Sequence, residues 1–315
     1  MLTLEQIQAA REMIKGDIHR TPVMTSAKLS EACGNHVFLK AEHLQKTGSF
    51  KIRGATNKVK HAVKDGATWV TAASSGNHGQ AVAYIAHQLG IPATIVVPKD
   101  ANRSKVAAIE AYGGRVEKCG YTSGERIPRA KALAEEKAGV FIPPYDDPLI
   151  MAGQGTIGLE ILEQVENVDL VVVPIGGGGL ISGILTAIKE TKPSVKVIGV
   201  EPELAKDTYL SLKNGEITSI GQTSTIADGL RTSQPGELTF PIVQKYIDDL
   251  VLVSEEEIRQ AMLFVMERMK QIIEPSSAVT LAAAMFGHIQ ATDQNIVTVI
   301  SGGNVDVSQL HDMMF

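Results

Sequence analysis

The stretch VVVPIGGGGLISG, residues 171–183, runs a buried-type strand into four consecutive glycines and then into a helix. Gly176, Gly177, Gly178 and Gly179 let the backbone turn its N–H groups inward, and the first turn of the following helix adds its dipole. One or two glycines suffice for a tight strand-to-helix turn; four indicate an anion site of phosphate size. No Gly-Lys-Ser/Thr follows, so the loop is not a Walker motif, and Ile181 and Ser182 break a Gly-x-Gly-x-x-Gly spacing. Glu201 ends the next strand about 20 residues on, where a dinucleotide fold places its ribose-binding acid. A nicotinamide oxidoreductase therefore stays open at this point.

The same strand–turn–helix grammar extends outward. ATWVTAAS precedes a helix over 77–89, ATIVVP one over 103–112 and GRVEKCG one over 122–138, while VKVIGVE and QNIVTVISG are further strand-like runs. Such runs, bounded by Gly and Pro and spaced by helices, predict an α/β fold with mainly parallel, twisted sheets flanked by helices. Residues 67–145 form an expected small domain, inserted in a large one made of 1–66 and 146–315. Thr3 with Gln6, and Ser254 with Glu257, make capping boxes that open helices, the second reaching about residue 271.

A net charge of −5 argues against nucleic acid or an anionic membrane as the main partner. There is no 18-residue apolar run, and the N-terminus is an amphipathic helix without the marks of a signal peptide. The two cysteines, Cys33 and Cys119, have no metal-type spacing, so neither a disulfide framework nor a cysteine zinc site is expected. The expected address is cytoplasmic.

Ligands of open parallel sheets bind where strands end and helices begin. At TAASSGNHGQAVA (71–83), Ser74, Ser75, Asn77 and nearby amides could cradle a carboxylate, although alone they read as caps. At VISGGNVD (299–306), Ser301 ends a strand before Gly302 and Gly303. At GVEPELAKD (199–207), Glu201 and Asp207 flank a turn whose carbonyls could help hold a hard cation; by themselves they read as two solvated acids. In QKTGSFKIRGATNK (45–58), Lys51 opens a helix expected over Phe50–Val63 with Ser49 as cap, and a lone lysine there is ordinarily a solvated charge.

Together these segments resemble the fold-type II pyridoxal-phosphate enzymes, whose fold is tryptophan synthase β-like, and specifically the branch of serine/threonine dehydratases and serine racemases. The matching pieces are HRTP (19–22), KTGSFKIRGA (46–55), SSGNHGQA (74–81), AGQGTI (152–157), GGGGL (176–180), IADGL (226–230), EPS (274–276) and SGGNVD (301–306), in family order. The resemblance implies that Lys51 is the Schiff-base lysine, that Phe50 lies against the pyridine, and that Asn77 bonds the 3-hydroxyl. Gly176 to Gly179 would hold the phosphate and Ser301 would face the ring nitrogen. The chemistry agrees, because the lysine must be deprotonated and burial lowers its pKa. A neutral serine at the ring nitrogen makes a weaker electron sink, suited to brief carbanion character.

Within that branch, dehydratases that only eliminate carry Ala where this chain has Ser75, and serine racemases carry Ser. Racemisation needs acid/base groups on both faces of the α-carbon, here Lys51 and Ser75. The resemblance adds Ser74, His78 and Arg126 as substrate-binding residues. It also turns Glu201, the Ala205 carbonyl and Asp207 into a Mg²⁺, Ca²⁺ or Mn²⁺ site, reversing their reading as solvated acids. Tyr145 stands where vertebrate-type racemases have Asn. Arg126, Tyr112 and Gln80 fall where racemases have substrate-closing or nucleotide-effector residues, so ATP is a candidate effector. A homodimer is implied. The chain stops at Phe315, which leaves no room for a C-terminal regulatory domain, and amino-acid feedback is not expected. The expected activity is interconversion of L- and D-serine with β-elimination of serine to pyruvate and ammonia. The alternatives are a dedicated dehydratase of threonine, serine or 3-hydroxyaspartate, and a binding protein of this fold without turnover.

Overall fold

The apolar runs resolve into two sheets in a computed structural model that describes residues 1–314. In chain order the strands are β1 (Val23–Thr25), β2 (His36–Ala41), β3 (Val70–Ala73), β4 (Ala93–Val97), β5 (Arg115–Lys118), β6 (Val140–Phe141), β7 (Leu170–Pro174), β8 (Lys196–Pro202), β9 (Asp249–Val253) and β10 (Asn295–Ile300). Six of them pair in the order β1-β2-β10-β7-β8-β9, and four in the order β5-β4-β3-β6. All pairs are parallel except β1 with β2. Strand β10 is flanked by β2 and β7, with Val297 level with both Phe38 and Val171. The loops that carry Ser301 and the four glycines therefore leave the sheet side by side.

Strand β7 is buried throughout, because helices cover both faces of its sheet. Val171 and Val173 pack into one cluster with Ile181, Ile184 and Leu185, while Leu170 and Val172 pack into the other with Val279 and Ile258. This two-sided burial is why the strand reads as continuous valine rather than as an alternation.

The helix Lys51–Lys64 lies on the helix Pro148–Gln164 at very close range. A methyl group on Gly153 would sit 2.6 Å from the Gly54 Cα, so only glycine permits this approach. Expectation and structure differ at the start of the Lys51 helix. Ser49 is not its cap; Phe50 occupies that position and gives no side-chain cap. Ser49 is buried and bridges to Gly302, while the Phe50 N–H donates to the Ser301 carbonyl at 2.9 Å. The helix is thus anchored by pairing with the loop after β10, which replaces a hydroxyl cap. Both capping boxes form, but the helix opened by Ser254 ends at Phe264 and continues as a π-turn to Met269.

Beneath this helix lies a buried ionic cluster. Arg53 donates to both oxygens of Glu42 at 2.8 Å and to both of Glu160 at 2.7 and 2.9 Å. Lys40 donates to Glu160 at 2.5 Å, to the Thr21 carbonyl and to Gln164, and Thr21 donates to Glu42. Two cations balance two carboxylates. Removing one partner of such a set strands a buried charge. Glu160→Ala should therefore lower the unfolding free energy by about 3–5 kcal/mol in a denaturant titration. A loss below about 1 kcal/mol, typical of exposed pairs, would mean that water compensates the cluster.

Candidate active site

The loops after β3, β7 and β10 converge on the first turn of the Lys51 helix. The Lys51 amine donates to the Pro144 carbonyl at 2.8 Å and lies 5.2 Å from the centre of its own neighbour's ring, Phe50. It keeps some solvent contact through the cleft but is ringed by protein atoms. Burial brings its pKa down to about 8, with the charge of Glu274 pulling the other way. About a tenth of the amine is therefore unprotonated at pH 7, far more than for an ordinary lysine, and a nucleophile or base draws on that fraction.

The glycine loop owes its shape to two contacts. Gly178 has φ 89°, a left-handed conformation that a side chain would strain, and the helix Gly179–Thr191 starts directly after it. A methyl group on Gly177 would come within 2.5 Å of the Tyr145 ring. On the other side the Thr239 hydroxyl donates to the Gly177 carbonyl at 2.7 Å. The Asp146 carboxylate accepts from the N–H groups of Glu237 (3.1 Å), Leu238 (2.8 Å) and Thr239 (3.3 Å). One short segment thus touches every part of the floor. Pro144 meets Lys51, Tyr145 the glycines and Asp146 the Thr239 turn, while Asp147 caps the helix Pro148–Gln164 and pairs with Lys58 at 2.7 Å.

Ser301 is buried, with its hydroxyl 3.0 Å from that of Ser277. Ser277 donates to the Gly302 carbonyl at 2.6 Å, which leaves Ser301 as donor in the contact between the two serines. Asn77 opens the helix Asn77–Gln88, its amide nitrogen 2.9 Å from both carboxylate oxygens of Glu274. Its amide oxygen accepts from Asn304 at 2.8 Å, and Asn304 also donates to the Thr47 carbonyl at 2.8 Å. Burial pushes Glu274 up to about 7, against the Asn77 hydrogen bond.

Ser74 accepts from the Gly76 N–H at 3.3 Å, whereas the Ser75 hydroxyl makes no hydrogen bond among the described residues. His78 is buried and its Nε2 donates to the Ile142 carbonyl at 2.9 Å. Burial, helped by the charge of Lys51, takes its pKa to about 3, so the ring is neutral and committed to the backbone. Arg126 donates to the Tyr121 carbonyl at 3.0 Å and to the Ser123 hydroxyl at 3.1 Å, contacts within its own turn. Tyr112 packs edge-on against Tyr84, with ring centres 5.6 Å apart, and Gln80 is buried.

Glu201 and Asp207 are not solvated. Both are fully buried. Glu201 accepts from the N–H groups of Thr208 (3.0 Å) and Tyr209 (2.8 Å), and Asp207 from the Thr232 hydroxyl at 3.2 Å. Burial raises Glu201 to about 8, with Asp207 adding to it, and raises Asp207 to about 7. Among the described residues no group of three or more His, Cys, Asp or Glu side chains comes together. Any cation here would need backbone oxygen to complete its shell, as the Ala205 carbonyl was expected to supply.

Sequence reasoning missed Glu274, Asn304, Ser277 and Asp146. The first three lie in or beside EPS and SGGNVD, the very stretches quoted for the resemblance.

A family model described as "Pyridoxal-phosphate dependent enzyme" matches residues 14–302. The catabolic L-threonine dehydratase of Escherichia coli K12 is 44% identical over 312 residues, covering 98% of this chain and 95% of its own. The serine racemase of Dictyostelium discoideum is 44% identical over 318 residues, covering 99% and 98%. The solved structure of maize serine racemase superposes with a TM-score of 0.94 at 40% identity, over 99% of this chain and 97% of that one.

The desolvated amine makes a prediction that needs no turnover. In protein freed of small ligands, acetylation of Lys51 by acetic anhydride, followed by peptide mass spectrometry, should show a pH midpoint near 8. A midpoint at the ordinary lysine value of about 10.4 would show that solvent reaches the amine freely.

Proposed function

The chain belongs to the pyridoxal-phosphate-dependent enzymes, and from that premise we propose that it is a serine racemase that also eliminates water from serine, giving pyruvate and ammonia. The observation that carries the reading is a desolvated Lys51 amine whose charge is felt at His78, three residues after Ser75, together with a Ser75 hydroxyl that makes no hydrogen bond among the described residues.

The donor set fits pyridoxal phosphate. Gly176 to Gly179 and the first turn of the helix Gly179–Thr191 suit its phosphate. Asn77 suits the 3-oxygen and Phe50 the ring itself, while Ser301 suits the ring nitrogen once its hydroxyl turns its proton from Ser277 to that nitrogen. When bound, the cofactor withdraws electrons from the α-carbon of an amino acid joined to it, which makes the α-hydrogen removable as a proton. Lys51 takes or returns that proton on one face, and Ser75 does so on the other. Loss of the β-hydroxyl needs only the Lys51 face, so elimination accompanies racemisation. Ser74, with its turn amides, suits the substrate carboxylate. His78 and Arg126 support this reading less, since the ring nitrogen of one and the guanidinium of the other already serve nearby backbone.

A second reading, a dedicated threonine or serine dehydratase, is favoured by Tyr145. Its ring closes over the glycine loop, where a racemase of the vertebrate type has the smaller Asn. The relatives at equal identity carry both activities in their names.

We further propose that Glu201, the Ala205 carbonyl and Asp207 hold Mg²⁺, with Ca²⁺ or Mn²⁺ as alternatives. What supports this is two fully buried carboxylates with no cationic side chain paired to either, among the described residues: they are protonated in the bare chain or, when ionised, matched by a positive charge from outside it. ATP as an effector rests on the positions of Arg126, Tyr112 and Gln80, which fall where racemases have substrate-closing or nucleotide-effector residues. A cytoplasmic homodimer is likewise proposed; among the described residues no helix is long and apolar enough to cross a membrane.

Two measurements follow from these assignments. In Ser75→Ala, racemisation and elimination from D-serine should fall together by about 10²–10⁴-fold while elimination from L-serine persists. Chiral product analysis on one preparation reads all three rates. No D-serine from the unmodified protein would favour the dehydratase reading; racemisation at an unchanged rate in Ser75→Ala would move the second acid to another group. For the cation, a chelator should lower the thermal midpoint and added Mg²⁺ should restore it, with Asp207→Ala indifferent to both. Indifference of the unmodified protein would leave the pair as two protonated acids.

A further inference from the structure

Glu274 is a buried acid in the cleft to which the mechanism above gives no task. It is 5% exposed and directly precedes the helix Pro275–Met285, yet its side chain does not cap that helix. It turns to Asn77 instead, and Gly302 makes room for it: a methyl group there would lie 2.9 Å from the carboxylate.

A carboxamide has two ends of nearly equal shape and opposite chemistry. A half turn exchanges its donor for its acceptor. At Asn77 both ends are specified from outside. In its ionised form the Glu274 carboxylate only accepts, so it demands the NH₂ end, at 2.9 Å to each oxygen. The Asn304 amide nitrogen only donates, so it demands the carbonyl end, at 2.8 Å. Asn304 cannot reverse freely, because the same nitrogen is held by the Thr47 carbonyl. The two carboxylate oxygens lie close together as seen from the Asn77 nitrogen, so one N–H can serve both, and the second is then the donor the amide can offer to an oxygen that carries or shares negative charge.

We propose that Glu274 is a positioning residue that locks the Asn77 carboxamide in the orientation presenting N–H, rather than C=O, to the 3-oxygen of pyridoxal phosphate. The inference rests on the cofactor assignment of the preceding subsection. Its chemistry is specific: an N–H donor favours the ionised 3-oxygen, and a carbonyl in its place would disfavour it.

The test uses the holoenzyme and two variants. Glu274→Gln keeps the shape but is itself a carboxamide with a donor end, so it no longer demands the Asn77 NH₂ and leaves Asn304 as the one outside group that fixes the amide. Glu274→Asp keeps an acceptor-only group with one methylene less reach. The readouts are the cofactor dissociation constant, from quenching of protein fluorescence, and the ratio of the long- to the short-wavelength absorption band of the bound cofactor. For a hydrogen bond to a charged group, Glu274→Gln should weaken cofactor binding by roughly 10–100-fold and shift absorbance to the short-wavelength band. Glu274→Asp should retain most of the long-wavelength band. The proposal is overturned if Glu274→Gln keeps the parent affinity and band ratio, or if Glu274→Asp loses the band as fully as Glu274→Gln does. A Gln variant that does not fold leaves the decision to the Asp variant. Absence of any visible band in the unmodified protein supplied with pyridoxal phosphate would overturn the cofactor assignment, and this proposal with it. A band in that protein that is unaltered in both variants would overturn this proposal alone.

Discussion

Arg53 sits two residues beyond Lys51 on the same helix and is fully buried. Its guanidinium is shared between Glu42, which follows β2, and Glu160, on the helix Pro148–Gln164. Desolvating four charges is costly, and their mutual attraction offsets that cost only while every partner stays in place. The cluster is accordingly a constraint on geometry more than a source of net stability. It admits one arrangement of strand β2 and two helices, and Gly54 against Gly153 presses those helices together where a larger residue would hold them apart. The amine two residues away inherits that fixity, which a base working within a fraction of an ångström requires.

A second constraint comes from the segment Pro144–Asp147. It is irregular chain, yet its carbonyl, ring and two carboxylates each hold a different structural element. The position of the amine and the shape of the glycine loop are therefore set jointly. A change at Tyr145 that alters the loop also alters the strap that carries the lysine's acceptor. Substrate preference and cofactor retention should be hard to separate by substitution at this position.

The α/β class, the glycine loop and the special status of Lys51 were legible in the sequence because each depends on neighbours in the chain: apolar runs, consecutive glycines, a helix start. The capping boxes at Thr3 and Ser254 were legible for the same reason. Ser49 misled because a serine before a helix ordinarily caps it, while here a strand-like bridge to Gly302, more than 250 residues away, takes over that role. Glu201 and Asp207 looked solvated because burial is a tertiary property that two acids in a polar turn do not announce. The partnership of Asn77 with Glu274 spans nearly 200 residues and leaves no periodic trace. Polar contacts of long range are where pattern reading ends and packing decides.

The hydrogen bond from Lys51 to the Pro144 carbonyl has a consequence of its own. It gives the amine a resting partner, and a resting partner is also a clock. Whenever the amine is engaged elsewhere, the carbonyl loses a donor inside a cleft where an unmet acceptor costs about 1–3 kcal/mol. The strap is then under tension that it can relieve only by shifting or by recruiting water. Chemistry at the lysine would in this way be felt as a change in backbone protection at residues 143–147, so that amide hydrogen exchange there would report the chemical state of the site in time.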